Sequence, residues 1–311
     1  MDSKVVVLGS CMIDFSSYAP RLPKPGETLH GYKFIQGFGG KGANQCVAAS
    51  KLCSKTTLIA RVGDDIFGTN YIKHLEDIGV DTKYVKQTKD VSSGIATIIV
   101  ADSGENQIVI VGGANAKLSI EDVTDAAEVI KIAPVLVCQF ETPLETTLAA
   151  LKLKREEGTG VSIVNGAPAV ANVDPALLAY TDILCVNESE AEVMTGIHVD
   201  SVKTAEDAVK KFTELGSKCV IITLGAAGAV FSNEGDEVIK HVKANKVKPV
   251  DTTGAGDAFI GALAFYLANH KDLKMEEAIK RSCDIATITV TKPGTQTSFP
   301  IRKDMPKYFF E

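Results

Sequence analysis

Residues 249–267 read PVDTTGAGDAFIGALAFYL and limit the possible folds of this chain more than any other stretch. The second half is apolar on almost every side, which is typical of a helix buried inside a large domain. The first half places Gly254, Ala255 and Gly256 where that helix must begin. A glycine-rich helix start lets backbone N–H groups point outward together, and the helix dipole adds partial positive charge there. The segment therefore predicts a buried helix whose N-terminus binds an anion.

Asp257 lies in the first turn of this helix, next to the predicted anion site. A carboxylate in a first helical turn is a common stabilising choice, because it interacts favourably with the helix dipole. The same dipole is expected to keep the carboxylate ionised, which would make it a weak base. The two threonines and Asp251 that precede the glycines nevertheless favour a chemical role for Asp257.

Short apolar runs alternate with helical patterns along the 311-residue chain, at residues 5–9, 57–62, 135–140, 161–165, 183–187 and 219–224. Runs rich in Val and Ile without in/out alternation indicate strands buried on both faces, as in a mostly parallel sheet. Capping-box patterns predict helix starts at Ser119, Thr142 and Thr204. Together these signals predict one doubly wound α/β domain over residues 1–311, with helices on both faces and ligands beyond the carboxyl ends of the strands.

Two segments lack this alternation of strands and helices. Residues 13–38 contain three prolines and no amphipathic helix. Residues 92–113 read as two β-runs, 94–101 and 107–111, around a turn at residues 102–105. We expect the two segments to pair into a small separate sheet, called the lid below.

Charge and cysteine usage exclude several classes of protein. A net charge of −6 provides no basic field for nucleic acid or anionic membranes. The seven cysteines are scattered without a C-x-x-C motif, which indicates reduced thiols in a cytoplasmic protein. The first ten residues carry an acid and only a short apolar run, so they are expected to form a strand and not a signal peptide. No apolar run is long enough to span a bilayer.

Residues 37–42 read GFGGKG and match the dinucleotide-binding pattern G-x-G-x-x-G, with a helix expected over residues 43–52. A NAD-dependent oxidoreductase must therefore be weighed. The segment before the motif is short and polar-interrupted, unlike the buried first strand of a dinucleotide fold. A Walker P-loop is also a poor match, because Gly42 and not Ser or Thr follows Lys41. The turn either brings Lys41 and the backbone to a polar ligand or allows a close crossing of helix and sheet.

Two motifs in this order, GFGGKGANQ near residue 40 and DTTGAGDAF near residue 255, resemble the PfkB family of sugar kinases. The likeness covers nearly the whole chain and includes NESE at 187–190 and TLGAAG at 223–228. The first motif is most similar to that of members that phosphorylate ribose, so the resemblance implies ATP-dependent phosphorylation of D-ribose at O5. Another sugar or nucleoside kinase of the family is the nearest alternative. The oxidoreductase and a non-catalytic sugar-binding regulator also stay open.

The resemblance implies a role for individual residues. Asp257 would accept the proton of the sugar's primary hydroxyl, and Gly254, Ala255 and Gly256 would form the hole for the transferring phosphoryl group. The sugar-binding residues would be Met12, Asp14, Gly40, Lys41, Gly42, Ala43, Asn44, Glu141 and Asp257. The ATP-binding residues would be Asn187, Thr223, Leu224, Gly225, Ala226, Ala227, Gly228, Gly256, Asp257 and Cys283.

The resemblance also implies two metal ions and a second copy of the chain. Glu190 would organise Mg²⁺ through water. A K⁺ ion would be surrounded, partly through backbone carbonyls, by Asp251, Thr253, Thr289, Lys292, Gly294 and Ser298. The lid would form the contact of a homodimer.

Two positions qualify the resemblance. Met12 stands where bacterial ribose-phosphorylating members have a sugar-binding asparagine, so strict selectivity for ribose is not implied. Asn187 with Glu190 three residues later also matches a capping box, which would be its role without the resemblance.

Overall fold

The computed structural model describes residues 4–236 and 238–311, so the first three residues of the expected N-terminal strand region lie outside the described residues. Within that part of the chain, nine strands form the central sheet. Their spatial order is β13 (Lys240–Val242), β12 (Ala229–Ser232), β11 (Cys219–Thr223), β10 (Ile183–Asn187), β9 (Val161–Asn165), β8 (Val135–Gln139), β1 (Val5–Leu8), β4 (Thr56–Gly63) and β5 (Asp81–Thr88).

The sheet is mostly parallel, as the unbroken Val and Ile runs predict. Seven neighbouring strands from β5 to β11 are parallel, whereas β12 and β13 pair antiparallel at one edge. All six predicted strands are present. The sequence patterns missed β5, β12 and β13, because β12 and β13 are short and the edge strand β5 carries polar residues on an exposed side.

Helices cover both faces of the sheet, as expected for a doubly wound fold. One face packs against α1 (Lys41–Lys51), α2 (Ile66–Ile78), α9 (Ala255–Asn269) and α10 (Met275–Thr289). The other packs against α3 (Ile120–Asp125), α4 (Ala127–Ile132), α5 (Leu144–Glu157), α6 (Pro175–Tyr180), α7 (Glu188–Thr195) and α8 (Val202–Glu214). None of the helices that the structure describes combines the length and the hydropathy that a bilayer span requires.

The helix α9 is buried on every side, as its apolar sequence predicts. Eleven of its fifteen residues are buried. It crosses α1 at Gly261, where a Cβ would lie 2.5 Å from Cβ of Ala48 and 2.6 Å from the carbonyl oxygen of Gln45. Only glycine allows this approach, which brings the first turns of α1 and α9 side by side.

The lid is a separate four-stranded sheet in the order β3 (Lys33–Gly39), β2 (Met12–Ala19), β6 (Gly94–Ala101) and β7 (Asn106–Val111). Its strands come from the two segments that the sequence singles out. β2 and β6 are parallel, and the other pairs are antiparallel. Asp14 lies opposite Ala96, and Ile98 lies opposite both Ser16 and Ile108. Because side chains alternate between faces, Asp14, Ile98 and Ile108 share one face of the lid.

Helix starts were predicted less well than strands. The capping box at Ser119 and Asp122 is present. The prediction at Thr142 is wrong, because Pro143 is the residue before α5 and Thr142 Oγ1 has no partner among the described residues. The prediction at Thr204 is three residues late, because Ser201 is the N-cap of α8. Thr204 is the second member of the capping box, and its side chain accepts from the Ser201 N–H. A threonine here replaces the usual acid as the second member of the box, so the sequence lacks the standard capping-box pattern at Ser201.

Candidate active site

The helix α9 begins with an open turn. Gly254 precedes it in a left-handed conformation with φ of 79°, and a Cβ there would lie 2.6 Å from Cγ2 of Thr295. Within the described chain no side chain caps this helix. The Ala255 N–H donates to the carbonyl of Thr252 at 3.2 Å. The N–H groups of the first turn that follow have no acceptor in the helix, so the geometry suits an anion.

Asp257 is held in place by two side chains of α1. Its side chain is buried, with 8% of the residue surface exposed. Asn44 Nδ2 donates to Oδ2 at 2.9 Å, and Gln45 Nε2 donates to Oδ1 at 3.0 Å. Burial raises the pKa of Asp257, and the Lys41 charge and the two hydrogen bonds only partly offset it. The expectation of a weak base is therefore wrong in direction, because burial outweighs the groups that favour the charged form.

Lys41 lies among carboxylates at the start of α1. Burial lowers the pKa of its ammonium, but the charges of Asp257, Glu141 and Glu190 outweigh burial and raise it. Lys41 is thus a fixed cation within an acidic cleft and not a solvated surface charge. Asp14 belongs to the same cluster: burial, then the charges of Glu141 and Asp257, raise its pKa to about 6.

The glycine-rich turn serves both alternatives left open by its sequence. A Cβ on Gly42 would lie 2.5 Å from the backbone nitrogen of Ser10, so α1 packs directly against the end of β1. The turn also meets a carboxylate, because Glu141 accepts from the Lys41 N–H at 2.8 Å and from Ser10 Oγ at 2.5 Å. The oxidoreductase hypothesis is wrong, because the preceding strand β3 belongs to the lid and not to the parallel sheet.

Two cavities meet at the start of α9. The first is polar and extends between α1 and α7; its lining includes Lys41, Asn165, Asn187, Glu190, Gly254 and Asp257. The second is mostly apolar and holds about 450 Å³; its lining includes Thr223, Gly225, Ala226, Gly228, Val247, Pro249, Cys283 and Val290. Thr223, Thr252, Ala255, Gly256 and Phe259 line both. An anion at the helix start would therefore contact both cavities.

Some of the residues singled out in the sequence line these cavities, but the sugar-binding candidates Met12, Asp14, Gly40, Gly42, Asn44 and Glu141 line neither. Leu224 and Ala227 line a separate small cavity beside Glu188. Ala43 is fully buried, and its N–H donates to the carbonyl of Ser10 at 2.9 Å. Asn187 and Glu190 form a capping box, with Glu190 accepting from the Asn187 N–H at 2.8 Å. Burial raises the pKa of Cys283 to about 12, so its thiol stays neutral beside the apolar cavity.

Asp251 joins two loops behind the start of α9. Its Oδ1 accepts from the Thr253 N–H and its Oδ2 from the Gly294 N–H, both at 2.9 Å. Burial raises the pKa of Asp251, but these backbone hydrogen bonds outweigh burial and lower it. Thr289 and Ser298 flank the loop that contains Gly294 and are fully buried, whereas Lys292 is exposed. Among the described residues, no three His, Cys, Asp or Glu side chains form a cluster that could hold a metal ion.

Several residues of the site carry no sequence signal. Gln45 Nε2 bridges Asp257 and Asn165, and Gln139 Nε2 donates to Oε1 of Gln45 at 2.7 Å. The apolar cavity is closed by residues of an irregular segment, which include Val247 and Pro249. Gln45 is the last residue of the GFGGKGANQ motif, and that position is the one signal that could have pointed to it.

Comparisons with known proteins agree with this geometry. A model of the "pfkB family carbohydrate kinase" matches residues 2–302. The ribokinase of Mus musculus is 48% identical over 306 residues, covering 98% of this chain and 94% of that protein. The deoxyribokinase of Salmonella typhi is 41% identical and covers 98% of both chains. The structure of Arabidopsis thaliana ribokinase complexed with ribose and ATP superimposes with a TM-score of 0.91 at 30% identity, covering 100% of both chains.

The family match therefore extends over nearly the whole chain, and its motifs lie where the two cavities meet. A non-catalytic regulator has no use for a buried carboxylate at that junction. This chain belongs to the pfkB family of carbohydrate kinases.

Proposed function

We propose that this chain transfers the γ-phosphoryl group of ATP to O5 of D-ribose, which gives ribose 5-phosphate and ADP. The observation that carries the proposal is the buried Asp257 carboxylate beside the open start of α9, where the two cavities meet. The names of the relatives from Mus musculus and Arabidopsis thaliana support ribose as acceptor and ATP as donor.

The sugar would bind between the lid and α1, next to the polar cavity that Lys41 and Asp257 line. Asp14 and Glu141 would accept hydrogen bonds from its hydroxyl groups, and Lys41 would donate to them. Met12, Gly40, Gly42, Ala43 and Asn44 would shape this end, mainly through backbone and packing, since both polar atoms of the Asn44 amide already have partners.

Asp257 would take the proton from the attacking hydroxyl group. Its raised pKa brings it closer to neutral pH and makes it a better base than an ordinary aspartate. The donors Asn44 and Gln45 fix the carboxylate plane, each using one oxygen and leaving lone pairs for the incoming proton. The proton moves from the sugar hydroxyl to a carboxylate oxygen as the new P–O bond forms and the bond to ADP breaks.

The nucleotide would place its phosphates at the N-terminus of α9 and its base in the apolar cavity. The backbone of Gly254, Ala255 and Gly256 would face the transferring phosphoryl group, and preorganised N–H donors there would stabilise its charge. Asn187, Thr223, Gly225, Ala226, Gly228 and Cys283 line the cavities at suitable positions for ATP. Leu224 and Ala227 would support the loop from behind.

Two cations would lie near the phosphate position. Glu190 lies in the polar cavity and could orient water ligands of Mg²⁺ bound to ATP; that ion would neutralise charge on the phosphates. Asp251, Thr253, Thr289, Lys292, Gly294 and Ser298 would hold K⁺ through carboxylate, hydroxyl and carbonyl oxygens, which suit a hard cation. Lys292 would offer only its carbonyl. The K⁺ ion would stabilise the turn that Asp251 already connects to Gly294.

A second acceptor, 2-deoxy-D-ribose, is favoured by Met12. This residue points to the same lid face as Asp14, is 5% exposed, and contacts Nδ2 of Asn115 through its sulfur at 3.6 Å. A thioether offers a sugar hydroxyl far weaker hydrogen bonding than an amide does. The name of the Salmonella typhi relative also supports a deoxy sugar.

We further propose that the central sheet and the lid act as one kinase unit, and that two copies pair through the lid to form a homodimer. The support is an apolar patch on an uncovered sheet: Ile108 is 52% exposed and Ile110 is 57% exposed. Two edge strands with such a face need a partner. Seven unpaired cysteines support a reducing, cytoplasmic setting for the protein.

The deciding experiment is a coupled ADP-release assay with ATP and a panel of pentoses, hexoses and nucleosides. We expect the highest kcat/KM for D-ribose or 2-deoxy-D-ribose, with phosphate found on O5 by ³¹P NMR. Asp257→Asn serves as the control that excludes a contaminating kinase. A clear preference for a hexose or a nucleoside would overturn the proposed substrate but not the family.

A further inference from the structure

A chain of buried side chains connects the base to the lid. Gln296, 6% exposed, donates from Nε2 to Oδ1 of Asn44 at 2.9 Å and to the Tyr71 hydroxyl at 3.1 Å. The Tyr71 hydroxyl in turn donates to the carbonyl of Gly39, the last residue of lid strand β3. At its other end, Asn44 donates to Asp257.

The carbonyl oxygen of Gly39 fixes the direction of every hydrogen bond between these side chains. The Gly39 carbonyl can only accept, so the Tyr71 hydroxyl must donate to it and is left to accept from Gln296. Gln296 therefore presents Nε2 and not Oε1 to Tyr71 and Asn44. Asn44 must then use Oδ1 toward Gln296, which leaves Nδ2 for Asp257. An Asn44 amide in the opposite orientation would point its oxygen at the Asp257 carboxylate.

Further contacts fix Gln296 itself. His74 Nε2 lies 2.8 Å from Oε1, and the His74 ring stacks on Phe38 of β3 with centroids 4.1 Å apart. Because Gln296 offers an acceptor here, His74 carries its proton on Nε2. The Lys51 ammonium donates to the backbone carbonyl of Gln296 at 2.5 Å. Asn44 and Lys51 lie on the same side of α1, about two turns apart, so one helix holds both ends of Gln296.

We propose that Gln296 is a positioning residue for the base: acting through Asn44, it keeps a hydrogen-bond donor and not an acceptor directed at Asp257. The inference rests on the proposed function for its meaning in catalysis. The charged groups that face Asp257 from other elements are Lys41, Asp14, Glu141 and Glu190, and substitutions at Gln296 leave all four in place.

The test is a double-mutant cycle with Gln296→Met and Gln296→Glu, each in the wild-type and in the Asn44→Ala background. Two readouts are measured: kcat with both substrates saturating, and the pKa of the Asp257 carboxyl by ¹³C NMR of aspartate-labelled protein, with Asp257→Asn for assignment. The neighbouring exposed Thr297 provides a matched control, Thr297→Val.

In the wild-type background we expect both substitutions to raise the pKa of Asp257, more strongly for Gln296→Glu, and to lower kcat by about tenfold with the KM for ATP unchanged. The loss of kcat comes from misorientation of the carboxylate, which outweighs its gain in basicity; tenfold corresponds to about 1.4 kcal/mol. In the Asn44→Ala background the effects of Gln296→Met should disappear, because the path through Asn44 is gone, and those of Gln296→Glu should shrink to the direct effect of its charge. Thr297→Val should match the wild type.

Two results would overturn the inference. One is an unchanged pKa of Asp257 in both Gln296 variants. The other is a shift for Gln296→Met that persists undiminished in the Asn44→Ala background, which would indicate an effect on the loop that bypasses Asn44. The NMR measurement needs no sugar turnover, so failure of the protein to phosphorylate ribose or deoxyribose would sink the proposed function and leave this test standing.

Discussion

Nδ2 of Asn44 lies 2.9 Å from Oδ2 of Asp257, although the two residues are 213 positions apart in the chain. Asn44 belongs to the glycine-rich turn that opens α1, and Asp257 to the turn that opens α9. The hydrogen bond therefore joins the sugar end and the phosphate end of the proposed reaction. A substitution in either motif is therefore expected to affect the other.

The first prediction concerns the base. We expect Asp257→Asn to fold normally and to bind ribose and ATP with near-native affinity, measured by calorimetry. Its kcat should fall by about 10²–10⁴, the usual contribution of a positioned general base. A variant that keeps a near-normal kcat would remove Asp257 from the mechanism.

The second prediction concerns pH. Burial and two neighbouring carboxylates raise the pKa of Asp14 from 3.8 to about 6, so below that pH the folded protein holds Asp14 protonated. A protonated carboxyl accepts hydrogen bonds from hydroxyl groups more weakly than a carboxylate does. The kcat/KM for the sugar should therefore fall as pH drops through 6, with KM rising. Asp14→Asn should have a low kcat/KM that lacks this step between pH 5 and 8.

The same shift predicts an opposite effect on stability. Between pH 3.8 and about 6 the folded state binds more protons at Asp14 than the unfolded state does, so this group lowers the free energy of unfolding as pH rises through that window. Asp14→Asn should therefore raise the Tm of the ligand-free protein at pH 7. A lower Tm would show that the ionised carboxylate is stabilised by its surroundings.

The third prediction concerns the monovalent ion. With Mg²⁺ fixed, KCl should raise kcat above the value in equimolar tetramethylammonium chloride, and NaCl should do so poorly. Asp251→Ala should lose the activation, because Asp251 holds the Thr253 and Gly294 N–H groups in the turn. Equal rates in the three salts would return Asp251 to a structural role.

The fourth prediction concerns the crossing of α1 and α9. Gly261→Ala would place a methyl group 2.6 Å from the Gln45 carbonyl oxygen, which forces the helices apart. We expect a loss of about 1–3 kcal/mol in the free energy of unfolding, as for other overpacked cores, together with a lower kcat. Gly112→Ala is the matched control, because φ there is −61° and no described atom lies within 4 Å of the new Cβ.

The fifth prediction concerns the lid. Ile98 and Ile108 lie opposite each other in the β6–β7 ladder, so aspartate at either position would put charge into the proposed contact. Light scattering should report a dimer for the wild type and half that mass for Ile98→Asp with Ile108→Asp. Val193→Asp is a control, because Val193 is 50% exposed on α7, away from the lid. A dimer that survives the double substitution would place the contact elsewhere.

The features that could be predicted from the sequence are those that depend on residues close together in the chain. The start of α9 is one example, because the glycines, the acid and the apolar run that identify it lie within a single segment. The strands β8 to β11 are another, since a strand buried on both faces needs an unbroken apolar run. The lid was predicted for the opposite reason: its two segments interrupt the alternation of buried strands and amphipathic helices.

The features that escaped prediction depend on packing between distant segments. Gln296 reaches Asn44 across 252 positions, and nothing in the local pattern around Gln296 marks it. The sequence also predicted the wrong direction for the shift in the pKa of Asp257. A motif reveals the dipole at a helix start, but it does not reveal how deeply the carboxylate is buried. Burial is a property of the whole fold, and here it is the larger effect.

The crowding of carboxylates around Lys41 has a consequence for how the nucleotide arrives. ATP is a polyanion, and it must approach an acidic cleft on a chain whose net charge is −6. Long-range forces therefore oppose its diffusion toward the cleft, and dissolved salt weakens that opposition. At the proposed site, capture would depend on contacts within a few ångströms, chiefly with backbone N–H groups that carry no net charge. Substitutions that make the outer surface less negative would therefore speed the arrival of ATP without changing the contacts that hold it.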